Sequence, residues 1–150
     1  MRRAIVDTRE KRPWELAGAI RRALPAGDYS LEGLEDRLAV ERKSLSDLVG
    51  TLTAGWPRFK AELEKLAGYP CAALIIEASR ADVAAHAYQA ATPPAAIFKR
   101  LAQVEAIAPN LCIIWAGSRP AAKLKAQAFL QQGEEILCPS EQPRIQTPSR

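Results

Sequence analysis

Histidine is nearly absent from this chain: His86 is the single one in 150 residues. Cysteine is scarce too, with Cys71, Cys112 and Cys138 far apart, odd in number and without a CxxC pair. A zinc centre needs clustered nitrogen and sulfur donors, and a disulfide scaffold needs dense, paired cysteines, so neither is expected. Two of the three cysteines sit in apolar runs, where cysteine packs as a small hydrophobe. There is no GxGxxG and no GxxxxGK[ST], and no Cys–His nucleophile pair is evident, which leaves a small-molecule α/β enzyme with little support. No stretch approaches the ~18 uninterrupted apolar residues of a membrane helix. The opening MRRAIVDTRE has too short an apolar run for a signal peptide, so no membrane association and a cytoplasmic setting are expected.

What the chain does have is enough apolar residue for one sizeable core and ordinary overall charge. The net charge of +4 lies entirely in residues 1–22, which hold seven Lys or Arg against three Asp or Glu. Such a segment suits a polyanionic partner, although a solvated basic face would read the same way.

The pattern along the chain alternates strands and helices. AIVD at 4–7 is a short strand candidate, and residues 14–23 suit a short helix before Pro25. Residues 29–34 and 37–43 form a hairpin pattern around LEGLED. A helix over 44–52 follows from the stripe of Leu45, Leu48, Val49 and Leu52, and a second from Phe59, Leu63 and Leu66. CAALIIEA at 71–78 and LCIIWAG at 111–117 are continuous apolar runs of buried-strand length. Between them Thr92-Pro93-Pro94 opens a helix through Ile97, Leu101 and Val104. A last helix, marked by Ala121, Leu124 and Ala128, runs to about Gln132. The expected architecture is an α/β layered domain with a mixed sheet over residues 1–138 and a mobile tail over 139–150.

The most informative segment is LAVERKSLSD at 38–47. Side chains alternate faces along a strand, so Leu38, Val40 and Arg42 share one face and Ala39, Glu41 and Lys43 the other. A carboxylate and an ammonium thus stand side by side at the end of an apolar strand. The carboxylate can hold a divalent cation, and the lysine an anion or water against it. Upstream, Asp28 in LPAGDYSL opens the strand that pairs with this one, which brings its carboxylate toward Glu41. Gly27 before it permits a sharp turn. VDTRE places Asp7 and Arg9 at the end of the first strand.

These three segments, VDTRE, GDY and ERKSLSDL, resemble in that order the XPF-type structure-specific endonuclease domain. Gly27, Asp28, Glu41, Arg42, Lys43 and Asp47 match its GD…ERKxxxD signature without a substitution, and the likeness extends over roughly residues 3–130. The resemblance implies a restriction-endonuclease-like three-layer α/β/α core. It also implies Mg²⁺- or Mn²⁺-dependent cleavage of DNA near duplex/single-strand junctions such as flaps and forks. Many members dimerise and carry a helix-hairpin-helix module after the nuclease domain. No such segment follows here, so a compact standalone version of the bacterial or phage kind is expected.

On this reading Asp28 and Glu41 hold the metal, and Lys43 positions the attacking water or stabilises charge on the phosphate. Arg42, on the other strand face, binds a nearby carboxylate, binds the DNA backbone or braces the site. Asp47 belongs to the matched site, but Ser44-Leu45-Ser46-Asp47 also fits a capping box, so its acid can be structural, supporting, or both. Asp7 is an additional ligand or orients Arg9 and Lys43. Arg9, Lys11 and Arg12 line a phosphate track. Glu77 is divided between a supporting and a plain surface role. His86 is a loop or DNA-facing residue, and the tryptophans are packing residues. The stripe of Ile97, Leu101 and Val104 is a homodimer face by analogy or an ordinary core face. The competing function is a non-catalytic DNA-binding or dimerisation module of the same fold.

Overall fold

The computed structural model describes residues 1–139; the tail expected over 139–150 lies, from residue 140 on, outside the described residues. Six strands form one sheet: β1 (Ala4–Val6), β2 (Ile20–Arg21), β3 (Tyr29–Leu31), β4 (Leu38–Lys43), β5 (Cys71–Ile76) and β6 (Leu111–Trp115). Their order across the sheet is β2-β1-β3-β4-β5-β6. The β1–β3 and β3–β4 pairs are antiparallel, whereas β1–β2, β4–β5 and β5–β6 are parallel. The mixed sheet expected from the sequence is therefore present.

Helices cover both faces. On one side lie α1 (Leu45–Leu52), α2 (Trp56–Leu66), α3 (Arg80–Ala84) and α4 (Pro94–Ile107). Leu48, Leu52, Leu63, Val83, Ile97 and Val104 of these helices pack on Ala39, Leu74 and Ile76 of the sheet. On the other side α5 (Arg119–Leu137) lays Ala122, Ala126 and Leu130 on Leu38, Val40, Ala73 and Ile75. Every residue of β5 is buried, as a strand flanked by parallel neighbours and covered on both faces must be. Each fully buried Leu or Ile contributes roughly 1.5–3 kcal/mol by leaving water. The stripe of Ile97, Leu101 and Val104 faces this core.

Three features depart from the sequence pattern. Residues 14–23 are not helical. Trp14 is buried and stacked on Tyr29 at 4.7 Å, Gly18 turns the chain at φ +70°, and β2 pairs with β1. The open edge of β1 offers backbone partners that a short helix containing glycine cannot match. Secondly, α3 forms over five residues, started by a capping box between Ser79 and Asp82. Thirdly, α5 runs past Gln132. Gly133 makes this possible, because a Cβ there would stand 2.6 Å from Cδ1 of Leu38.

No helix among the described residues is long and apolar enough to cross a membrane.

Candidate functional site

The expected pairing of Asp28 with Glu41 follows from register. Tyr29 lies opposite Val40 in the β3–β4 ladder, so the next pair outward is Asp28 with Glu41. The Asp28 amide donates to the Val40 carbonyl at 2.8 Å, and the Asp7 amide donates to the Asp28 carbonyl at 2.8 Å. Asp28 is thus held between β1 and β4, at the end of both. Its Oδ2 accepts the Arg42 amide at 2.8 Å.

Gly27 creates this entry. It has φ +74°, and a Cβ would come within 3.1 Å of Ala39 Cβ and 3.2 Å of the Val40 carbonyl oxygen. Gly27→Ala is expected to lose about 1–3 kcal/mol of stability through backbone strain and crowding together. Chemical denaturation checks this, and a loss below a few tenths would show that the turn tolerates a side chain.

Asp28, Glu41 and Lys43 open into one cleft of ≈ 530 Å³, together with Asp7, Arg9, Asp47, Arg58 and Glu62. Glu41 is only 8% exposed. Burial raises its pKa against the partly offsetting Lys43, whose Nζ lies 3.1 Å from Glu41 Oε1. Burial and then the Glu41 charge push the Asp28 pKa well up. A carboxylate whose proton affinity is raised by burial and by a neighbouring carboxylate favours the approach of positive charge. Burial works against the Lys43 ammonium as well, but Glu41 more than compensates and its pKa is raised. The Phe59 ring lies 5.6 Å beneath Lys43 Nζ and closes that side.

Asp47 combines two of the expected roles. The Ser44 hydroxyl accepts the Asp47 amide at 3.1 Å, and Asp47 Oδ2 accepts the Ser44 amide at 3.4 Å, so the capping box is formed. The same residue lines the cleft.

Asp7 is 2% exposed and its carboxylate is fully engaged. Oδ1 accepts from the Leu24 amide at 2.8 Å and Arg9 Nη2 at 3.4 Å, and Oδ2 from Arg9 Nε at 2.8 Å and the Arg9 amide at 3.2 Å. Burial alone would raise its pKa; the hydrogen bonds from Arg9 and Leu24 outweigh it and lower the pKa. These contacts orient Arg9, while no bond from Lys43 to Asp7 is present among the described residues. The Arg9 side chain, 68% exposed, is held at the cleft mouth. Lys11 and Arg12 are exposed but stand outside the cleft lining. The backbone of Arg12 is tied back, its carbonyl accepting Arg119 Nη2 at 2.9 Å.

Arg42 leaves the cleft by the opposite face, as strand alternation requires. It forks onto Glu10, Nε to Oε2 and Nη2 to Oε1 at 3.0 Å each, and Nη1 donates to Glu77 Oε1 at 2.8 Å. Of the roles considered for Arg42, the carboxylate contact is the one formed; only its amide reaches a cleft residue. Glu77 also accepts from Trp14 Nε1 at 2.9 Å and Arg119 Nη1 at 3.2 Å, so it is no plain surface charge. His86, at φ +55°, stacks on Tyr88 at 4.3 Å away from the cleft lining.

Glu10, Glu62 and Arg58 were not singled out from the sequence. Glu10 stands inside VDTRE, so its signal was present. Glu62 carries none, because its partner, the Gly27 amide at 2.7 Å, is 35 residues away.

Among the described residues no group of three or more His, Cys, Asp or Glu is gathered to hold a metal ion. Asp28 and Glu41 both line the cleft and offer carboxylate oxygens to it. Hard oxygens in that number suit Mg²⁺ or Mn²⁺, which keep several waters when bound.

Comparison with curated proteins finds no match. Among solved structures the chain is similar to XPF from Aeropyrum pernix, at 20% identity and a TM-score of 0.70, covering 99% of this chain and 68% of that one. This likeness shows a shared fold. The family model described as the ERCC4 domain matches residues 6–123, most of the chain and every candidate residue of the cleft. The chain belongs to the ERCC4 domain family, a family of nuclease domains associated with DNA.

Proposed function

We propose that this protein is a Mg²⁺- or Mn²⁺-dependent endonuclease that hydrolyses phosphodiester bonds in DNA, at branched or flap-like junctions. The observation that carries this reading is half-buried Asp28 and buried Glu41 opening, together with Lys43, into a cleft of ≈ 530 Å³. An Asp28 carboxyl whose pKa burial and the Glu41 charge push well up is costly to keep ionised unless something cationic is to be bound there.

Asp28 and Glu41 would hold the ion. When bound, such an ion polarises a phosphate and lowers the pKa of a water. Lys43 presents Nζ into the same cleft, where a compact cation counters the charge that grows on the phosphate oxygens during attack. Arg9, kept in place by Asp7, offers its guanidinium to a neighbouring phosphate of the strand. Asp47 starts α1 and so fixes the helix that follows Lys43. Arg42 acts from behind: its amide restrains Asp28, and its side chain bolts β4 to Glu10 and Glu77. Lys11 and Arg12 extend the basic surface beyond Arg9, and DNA bound there would be released by salt. A homodimer is part of the same proposal and is checked by light scattering at working concentration.

The test is cleavage of end-labelled flap, fork and plain duplex DNA with Mg²⁺ or Mn²⁺. The expected result is metal-dependent cutting of the branched forms, reduced roughly 10²-fold by Lys43→Ala. Salt-sensitive DNA binding with no cleavage under either ion would instead favour the non-catalytic module.

A further inference from the structure

We infer that Glu62 is a positioning residue of this site: its carboxylate holds the Gly27 amide and thereby fixes where Asp28 enters the cleft. The inference deepens the nuclease reading and rests on it for its catalytic consequence.

Glu62 belongs to the middle of α2, on the cleft side, and is partly buried. Arg58 stands one helical turn before it, the spacing at which an Arg–Glu pair ordinarily forms on a helix surface. No ion pair between them is present among the described residues. Glu62 Oε1 instead accepts the Gly27 amide at 2.7 Å, across 35 residues of chain. This bond is unlike the other restraints on the Asp28 entry. Those come from the sheet itself: Asp28 amide to Val40, Asp7 amide to Asp28, Arg42 amide to Asp28. Among the described residues the Gly27 amide, in a residue with φ +74°, makes its hydrogen bond to Glu62 and none to a strand. A glycine in that region has little intrinsic reason to stay there. An acceptor from a packed helix supplies the reason, and α2 is anchored by Phe59, Leu63 and Leu66 in the core.

The bond is also placed to matter for chemistry. Gly27 immediately precedes Asp28, so a change in its ψ swings the Asp28 carboxylate relative to Glu41. A shift near 1 Å at a reacting centre can cost about 10²-fold in rate. Glu62 does not need its negative charge for this: accepting one N–H is enough. The charge is even adverse, since it acts on Glu41 in the same direction as burial. A carboxylate kept despite that cost is explained by the reach of its oxygens to the Gly27 amide.

Two conservative variants separate reach from charge. Glu62→Gln keeps the length and an accepting oxygen but removes the charge. Glu62→Asp keeps the charge but withdraws the oxygens by one methylene. The readouts, on the full chain, are hydrogen exchange at the Gly27 amide, Mn²⁺ affinity by paramagnetic relaxation without DNA, and flap cleavage. Expected for Glu62→Gln are a protected Gly27 amide and Mn²⁺ affinity and cleavage within about threefold of wild type. Expected for Glu62→Asp are a Gly27 amide exchanging at least tenfold faster and Mn²⁺ affinity and cleavage lowered roughly 10- to 100-fold. The reverse ranking, with Glu62→Asp normal and Glu62→Gln impaired, would overturn the inference, because charge would then be the operative property. Unchanged Gly27 exchange in Glu62→Asp would overturn it as well. A wild-type protein that neither binds Mn²⁺ nor cleaves DNA counts against the nuclease reading alone; the amide exchange of the two variants still decides whether Glu62 holds the turn.

Discussion

Replacing Arg42 by alanine is expected to lower folding stability by roughly 3–5 kcal/mol, a large share of what a domain of this size possesses. The reason is the company Arg42 keeps. Its guanidinium, 7% exposed, is forked onto Glu10 and bonded to Glu77, whose side chains are 6% and 7% exposed. Removing the cation leaves one buried carboxylate without its counter-charge and the other with fewer partners. Glu77 keeps Trp14 and Arg119, but Glu10 loses its strongest partner. Arg42→Lys should recover little, because a single ammonium cannot reproduce the fork. Adding Glu10→Gln to Arg42→Ala should restore part of the loss, since the stranded charge is then gone. Urea denaturation measures all of these, and an Arg42→Ala loss under about 1 kcal/mol would mean the network is worth little.

The same residue has a pH signature. Burial pushes the Glu10 pKa up, Arg42 with the Arg12 and Lys11 amides more than offsets it, and the folded-state pKa ends below the ordinary glutamate value. Glu10 therefore contributes stability that is present above that ordinary value and lost as pH falls through the folded pKa. Without Arg42 only those two amides oppose the burial. The acid-side loss of stability attributable to Glu10 should then shrink or invert in Arg42→Ala. A denaturation series from about pH 3 to pH 7 reads it directly.

Asp28→Asn is expected to abolish cleavage while making the metal-free protein more stable. The asparagine oxygen can still accept the Arg42 amide, so the geometry of β3 and β4 is kept. What disappears is a carboxylate whose pKa burial and the Glu41 charge raise. The sign follows from linkage. The unfolded Asp28 ionises near 3.8, the folded one at higher pH, so the wild type loses stability as pH rises through the folded pKa. Asparagine has no such loss, and a gain of about 1–2 kcal/mol at neutral pH is expected, growing from acid toward neutral. Activity should fall by about 10³-fold or more, because one carboxylate alone holds a divalent ion poorly. Mn²⁺ should raise the melting temperature of the wild type and not of the variant, since only a bound ligand shifts the folding equilibrium. A variant that is less stable than wild type in the absence of metal would show that Asp28 serves the fold rather than the site.

Both predictions bear on how the site could be read in advance. The alternation in LAVERK was enough to send Arg42 one way and Glu41 with Lys43 the other, because a strand has no other choice. The capping box at Ser44 and Asp47 was equally local. Asp28 opposite Glu41 followed from a hairpin whose two strands are adjacent in sequence. Trp14 was legible only as a packing residue; the bonds of its indole to Glu77 and its backbone to Tyr29 depend on a loop that was expected to be a helix. That expectation failed because the helical pattern in 14–23 was weak and the open edge of β1 offered the backbone a better partner.

The sequence by itself determined the order of β1, β3, β4, α1, α2, β5, α4, β6 and α5, the alternation of β4, and the placing of a carboxylate and a lysine at its end. These rest on periodicity and on neighbours within a hairpin, which local geometry dictates. Only the tertiary structure decided that Asp7 accepts the Leu24 amide, that Arg42 is clamped between Glu10 and Glu77, and that Glu62 holds Gly27. Each of these is a contact between residues brought together by the sheet and its helices. A carboxylate's partner depends on which donor lies within about 3 Å of it, and that distance is fixed by packing, not by spacing along the chain.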